Sequence, residues 1–294
     1  MNKEYKNKTL FQIRREQYKH RYEDDVPYIK DWTRNPYTYL KARFYIEASS
    51  VILYFLLKTK IAPNYITAGY AVAGLAAGVL LAVPGKYFVL AAAIIFFINP
   101  TFDWVDGAYS RMIGKCSFTG HILDVYAGYL PWLALQVGLG FYVAQKPGFE
   151  KIFWLIPLIP FFYAANLVTF MKTEFSDRAL IDKELAKVDQ KGSAGTISQS
   201  NERLSLVKIL SRAHRIFQNI FDNRARGVDL ICLVIILEAF TGFFISWAIF
   251  AFLVLKQLTL FLSSFISVVF FGRAEAELRN QLNAFRDDGE NTPV

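Results

Sequence analysis

A chain of 294 residues has room for one large domain or two small ones, but 54% hydrophobic residues beside 33 Lys and Arg and 25 Asp and Glu describe apolar blocks alternating with basic ones. That mixture is a membrane protein's. The net charge of +8 comes with no Arg-rich reading helix and no aromatic platform for bases, which argues against nucleic acid and for anionic lipid headgroups as the basic partner. Cys116 and Cys232 offer neither a disulfide framework nor metal-ligand spacing and read as free thiols.

Residues 1–60 form a polar, basic N-terminal region without the short apolar core of a cleaved signal peptide, so insertion is expected to rely on internal spans. Within it, Tyr45–Leu57 is apolar but interrupted by Glu47, Ser49 and Ser50. Too short to cross a bilayer, it is expected to lie along the interface as a helix. An all-α bundle of six spans follows over 61–272, near 65–83, 87–105, 120–144, 152–171, 228–247 and 250–271. Pro84-Gly85 makes the first connection, Pro100 is expected to kink the second span, and Gly74-x-x-x-Gly78 offers a close-packing face. Residues 273–294 form a tail.

Charge asymmetry orients the spans. Only Lys86, Lys146 and Lys151 lie in the first and third connections, whereas Arg111 and Lys115 lie in the second, the loop 172–227 is rich in Lys and Arg, and the tail carries Arg273, Arg279 and Arg286. The positive-inside rule puts both termini in the cytoplasm. Inside the loop, Gln190–Glu202 reads as flexible, and Arg203–Phe221 has the spacing of a basic amphipathic helix, on the membrane or against the bundle. Lys256, alone inside a span, is expected to snorkel.

Chemistry concentrates where the second and third spans meet the cytoplasm. Asp103 and Asp106 stand three apart on one helix face, and Asp124 comes from the neighbouring antiparallel helix at nearly the same depth. Three carboxylates repel one another unless something neutralises them. Oxygen ligands of this kind suit Mg²⁺ or Mn²⁺, which recruit substrate phosphates as further ligands. Gly107 gives close access to backbone and Gly120 leaves a hole on the face of Asp124, together a pocket for a metal-bound nucleotide diphosphate. The alternative is a set of helix-end charges, solvated or paired with Arg111.

These residues resemble the CDP-alcohol phosphotransferases, whose motif is D-x2-D-G-x2-A-R-x8-G-x3-D-x3-D. Asp103, Asp106, Gly107, Arg111, Gly120 and Asp124 stand at matching positions, and Pro63-Asn64-Tyr65-Ile66-Thr67 matches the P-N-x-x-T opening of the first span. The resemblance covers roughly 60–250. It implies a six-span transferase that moves a substituted phosphate from a CDP-linked alcohol or lipid to an acceptor alcohol, with release of CMP, in phospholipid or related lipid synthesis. It further implies Asp103, Asp106 and Asp124 as ligands to Mg²⁺ or Mn²⁺. Asn64, Thr67, Asp103, Gly107, Ser110, Arg111 and Gly120 become nucleotide-binding positions, and a homodimer is the expected assembly.

Two positions depart from the motif. Ser110 replaces an alanine, and Gly128 stands where the fourth carboxylate, the usual general base, belongs. His121, three residues before Asp124, is a substitute lying a turn to the cytosolic side, and an ordinary polar contact explains it better. Three functions stay open: an active transferase using another base, a weakened relative that binds a CDP-ligand or partner proteins, and a cation-coupled transporter. For the last, spans three to six carry no transmembrane charge relay apart from Glu238 and Lys256. The N-terminal region loosely resembles the choline and ethanolamine type. Lys172, Arg178, Arg224 and Arg226 flank the pocket, where positive-inside bias accounts for them.

Overall fold

The structure, a computed structural model, describes residues 8–19, 36–115, 117–166 and 224–270. The expectations for Cys116, Gln190–Glu202, Arg203–Phe221, Lys172, Arg178, the side chains of Arg224 and Arg226, and the tail lie outside the described residues. The chain divides into two compact units, Met1–Glu150 with Asn223–Trp247 and Lys151–Asp222 with Ala248–Val294. Every described element is helical.

In the first unit these are α1 (Leu10–Lys19), α2 (Pro36–Leu56), α3 (Pro63–Ala82), α4 (Lys86–Ile113), α5 (Phe118–Ala144) and α7 (Arg224–Thr241). A 3-10 turn at Glu150–Leu155 and α6 (Leu158–Ala164) follow α5 in sequence, and α8 (Ser246–Val269) begins at the end of the first unit. Among the described residues four helices, α3, α4, α5 and α8, are long and apolar enough to cross a membrane. They match the first, second, third and sixth expected spans. The other two differ. Over 152–164 a continuous helix does not form, because Pro157 and Pro160 interrupt the register between the 3-10 turn and α6. The fifth element ends at Thr241 rather than 247, where Gly242 turns with φ 71°.

α3 starts with Pro63 in its first turn, where the missing N–H is no loss. It packs on both α4 and α5. The contact with α5 is close because the residues are small. A Cβ on Gly74 would sit 2.4 Å from Pro131 Cβ, one on Gly78 2.7 Å from the Ala134 carbonyl, and one on Gly138 2.5 Å from the Gly78 carbonyl. Lipid is as apolar as leucine, so helices in a bilayer gain little by hiding apolar surface and associate through such van der Waals contact.

α4 runs through Pro100 and stops at Gly114, whose φ of 66° suits a residue without a Cβ. There the Gly114 N–H donates to the Arg111 carbonyl (3.2 Å) and the Lys115 N–H to that of Ser110 (2.9 Å). Ser117 then caps α5, its Oγ accepting from the Gly120 N–H at 3.0 Å. This tight turn fixes the level at which α4 and α5 face each other.

α2 begins nine residues before the expected Tyr45 start, and its polar residues explain why. Lys41 Nζ donates to Asp229 Oδ2 of α7 at 2.5 Å, and the Tyr37 hydroxyl donates to the same oxygen. Burial pushes the Lys41 ammonium below the ordinary lysine range, and the bond to Asp229 opposes this. Glu47 accepts from Arg14 Nε and the Tyr18 hydroxyl, each at 2.8 Å, which fastens α1 to α2. Ser49 and Ser50 are buried and donate to the Ile46 carbonyl.

Cys232 is a free, buried thiol. Lys256 is buried, where snorkelling was expected. Glu238 accepts from the Ile245 and Ser246 N–H groups (2.6 Å each) and from Ser246 Oγ (2.8 Å). It thereby satisfies the N-terminus of α8, a structural use for the carboxylate.

Candidate functional site

Asp103 and Asp106 project from α4, and Asp124 from the first turns of α5. Each offers an oxygen, and the three oxygens lie within 4.8 Å of one another. The sequence expectation that two helices converge their acidic groups is therefore met in geometry. α3 holds them in place. Thr67 Oγ1 donates to Asp106 Oδ2 at 2.6 Å, and the Tyr70 hydroxyl lies 3.0 Å from Asp103 Oδ1 and 3.4 Å from Asp124 Oδ1. Thr67 was expected here; Tyr70 was not. Its signal was available, since Pro63, Thr67 and Tyr70 recur at helical spacing on one face of α3.

Asp106 is buried, and its Oδ1 has no hydrogen-bond partner among the described residues. A buried carboxylate oxygen without a donor is rare and costly in a finished fold. With two further carboxylates beside it, a divalent cation is the partner that fits. Hard oxygen donors, no histidine or thiol among them, are the donor set of Mg²⁺ or Mn²⁺.

Two cavities meet this cluster from opposite sides. The first, about 220 Å³, is lined by Asn64, Thr67, Asp106, Gly107, Ser110, Arg111, Gly120 and Asp124, together with Pro63, Lys115, Ser117 and His121. It gathers every expected nucleotide-binding position except Asp103. Its glycines leave room. A Cβ on Gly107 would stand 3.3 Å from the Arg111 guanidinium, and one on Gly120 3.1 Å from Ser117 Oγ and 3.5 Å from Asn64 Oδ1. Arg111 and Lys115 give this side its positive charge. Ser110 Oγ donates back to the Gly107 carbonyl at 3.0 Å, a local bond within α4.

The second cavity, about 190 Å³, lies deeper along the helices and takes in Asp103, Tyr70, Asn99 and Gly128. A Cβ on Gly128 would meet nothing within 4 Å. His121 and Gly128 thus line different cavities, so the histidine does not stand in the space that the fourth carboxylate would occupy.

Residues 60–187 match the family model described as CDP-alcohol phosphatidyltransferase, a stretch that contains all three carboxylates and the whole of the first cavity. Among curated proteins, no sequence matches the chain.

Proposed function

We propose that this chain, which belongs over residues 60–187 to the CDP-alcohol phosphatidyltransferase family, transfers a substituted phosphate from a CDP-linked alcohol to an acceptor alcohol and releases CMP. The observation that carries the reading is the convergence of three carboxylates within 4.8 Å, one of them with a buried oxygen that has no partner among the described residues.

Asp103, Asp106 and Asp124 would hold Mg²⁺ or Mn²⁺, which supplies charge neutralisation at the phosphates when bound. The chain's own residues do the remaining work. Thr67 fixes the rotamer of Asp106, and Tyr70 ties Asp103 to Asp124, so the ligand oxygens are set before substrate arrives. Arg111 and Lys115 line the pocket and meet the anionic pyrophosphate. Gly107 and Gly120 leave space beside Asn64 for the nucleoside. The acceptor oxygen forms a bond to the phosphorus next to the transferred alcohol, the bridge to the second phosphorus breaks, and CMP leaves with the electron pair, its phosphate taking up the acceptor's proton.

Gly128 supplies no carboxylate to take the acceptor's proton. General base catalysis contributes about 10²–10⁴-fold, so the reading is of a slow transferase. The same glycine favours the second reading, a relative that binds the CDP-ligand without turning it over. The positive charge of Arg111 and Lys115 supports a site on the cytoplasmic side of a multi-pass protein, beside anionic lipids. The resemblance adds lipid synthesis and a homodimer.

Purified protein given radiolabelled CDP-alcohols, Mn²⁺ and a panel of acceptor alcohols is expected to release CMP. CDP binding without release would support the second reading. Absence of both would sink the pair.

A further inference from the structure

We infer that the acceptor is an uncharged alcohol on an apolar body, and that Asn99 receives its hydroxyl in the second cavity. The inference rests on the transfer reading above and names the substrate class for that site.

Asn99 lies four residues before Asp103 on α4, one turn deeper. Gly128 lies four residues after Asp124 on antiparallel α5, also one turn deeper. The two line the same cavity and face the carboxylates from one level. Asn99 is only 6% exposed, and its side chain has no hydrogen-bond partner among the described residues. A buried amide, with donor and acceptor both free and lining a cavity, is a group prepared for a ligand.

Pro100 has no N–H to give the carbonyl of Phe96, and Pro131 has none for that of Ala127. Phe96 and Ala127 both line this cavity. Each helix therefore carries one proline that costs it a backbone hydrogen bond next to residues of this chamber, and at membrane depth a released carbonyl needs a donor. Asp103 adds an acceptor at the wall shared with the carboxylate cluster. The Asn99 amide both donates and accepts and Asp103 accepts, so a hydroxyl, which does both, is the ligand group that suits this end of the chamber.

The rest of the lining selects the body. Phe96, Pro131, Trp132 and Val228 are apolar, and no Lys, Arg or His lines the chamber among the described residues. The first cavity, across the cluster, has Arg111, Lys115 and His121. A phosphorylated acceptor placed in the chamber would bring its charge beside Asp103 with no cation to meet it. Gly128 supplies the room, since a side chain there would project into open space.

The test uses the full chain in nanodiscs with Mn²⁺ and CDP, and two photoprobes carrying a diazirine: an uncharged diacylglycerol and an anionic lysophosphatidate. Diacylglycerol is expected to label the peptides bearing Phe96, Asn99 and Trp132 in preference to lysophosphatidate. Gly128→Leu, which fills the chamber, and Asn99→Leu, which removes the amide, are each expected to cut that labelling about tenfold, the worth of one good polar contact. Both variants should bind CDP, titrated calorimetrically, within about twofold of the parent, which shows that each is folded. In turnover, Asn99→Leu is expected to raise the acceptor KM and leave the donor KM unchanged. Preferential labelling by lysophosphatidate, or labelling that ignores both variants, overturns the inference. Failure of the unmodified protein to bind CDP with Mn²⁺ overturns the transfer reading instead.

Discussion

The same residue type does opposite work at the two ends of the α3–α5 pair. At the packed end, Gly74, Gly78 and Gly138 are glycine because another backbone or a proline ring occupies the space a side chain would need. At the open end, Gly120 borders a pocket and Gly128 borders a chamber where a Cβ would touch nothing. One set brings helices together and the other keeps them from filling a site. The difference teaches that stability and chemistry are segregated along these helices, so substitutions at the two ends should fail in different ways.

The largest effect is expected at the open end from Asp106→Asn. It keeps the shape and the Thr67 contact but removes a charge from the metal set. Several kcal/mol of transition-state stabilisation correspond to a loss of CMP release of about 10³-fold. Thermal unfolding without metal should stay put or rise slightly, because repulsion among the carboxylates falls, and the stabilisation that Mn²⁺ gives the parent should vanish. An unchanged response to Mn²⁺ would remove Asp106 from the metal site.

At the packed end, Gly138→Val drives a branched side chain into the Gly78 backbone, 2.5 Å from where its Cβ must sit. Overpacking of this kind costs about 1–3 kcal/mol or more. Unfolding in detergent should move down by that amount, while the protein that remains folded keeps its affinity for CDP. A loss of CDP affinity without loss of stability would contradict the segregation.

Gly128→Asp sharpens the comparison from the other side. Open space receives the carboxylate without a steric clash, but its charge falls in the chamber that Asp103 lines. Unfolding without metal should therefore move down slightly, and with Mn²⁺ turnover should rise by about 10²-fold, the lower end of what a positioned base contributes. No rise in CMP release, in a variant that still binds CDP, would favour the binding-only reading.

How much of this was legible in the sequence follows the same division. Asp103, Asp106 and Asp124 could be placed because helical spacing and one short turn determine their level, and Gly114 and Ser117 make that turn tight. The Gly74-x-x-x-Gly78 face was legible as a motif, although its partners Pro131, Ala134 and Gly138 were not. Tyr70 and Asn99 were passed over because each lies within an apolar run and becomes polar chemistry only when another helix brings carboxylates or a cavity beside it. The early start of α2 escaped for a similar reason. Lys41 and Glu47 look like exposed charges in one dimension, but Asp229 and Arg14, far away in the chain, pair with them. The interrupted helix over 152–164 had its warning in Pro157 and Pro160, which hydropathy averaged away.

The smallest effect is expected from Ser110→Ala, which restores the motif residue. Ser110 lines the first cavity, so a role in holding nucleotide is open to it in principle. Its Oγ, however, is already committed to the Gly107 carbonyl at 3.0 Å, a bond within the helix that competes with ligand and adds little to a turn already hydrogen-bonded. Alanine has the higher helix propensity by roughly half a kcal/mol, which offsets the lost bond. CDP affinity and unfolding temperature should therefore both stay near the parent values, the affinity within about twofold. A fall of tenfold in CDP affinity would mean that Ser110 turns from Gly107 to the ligand, and the open end would then depend on a hydroxyl that the resting geometry spends elsewhere.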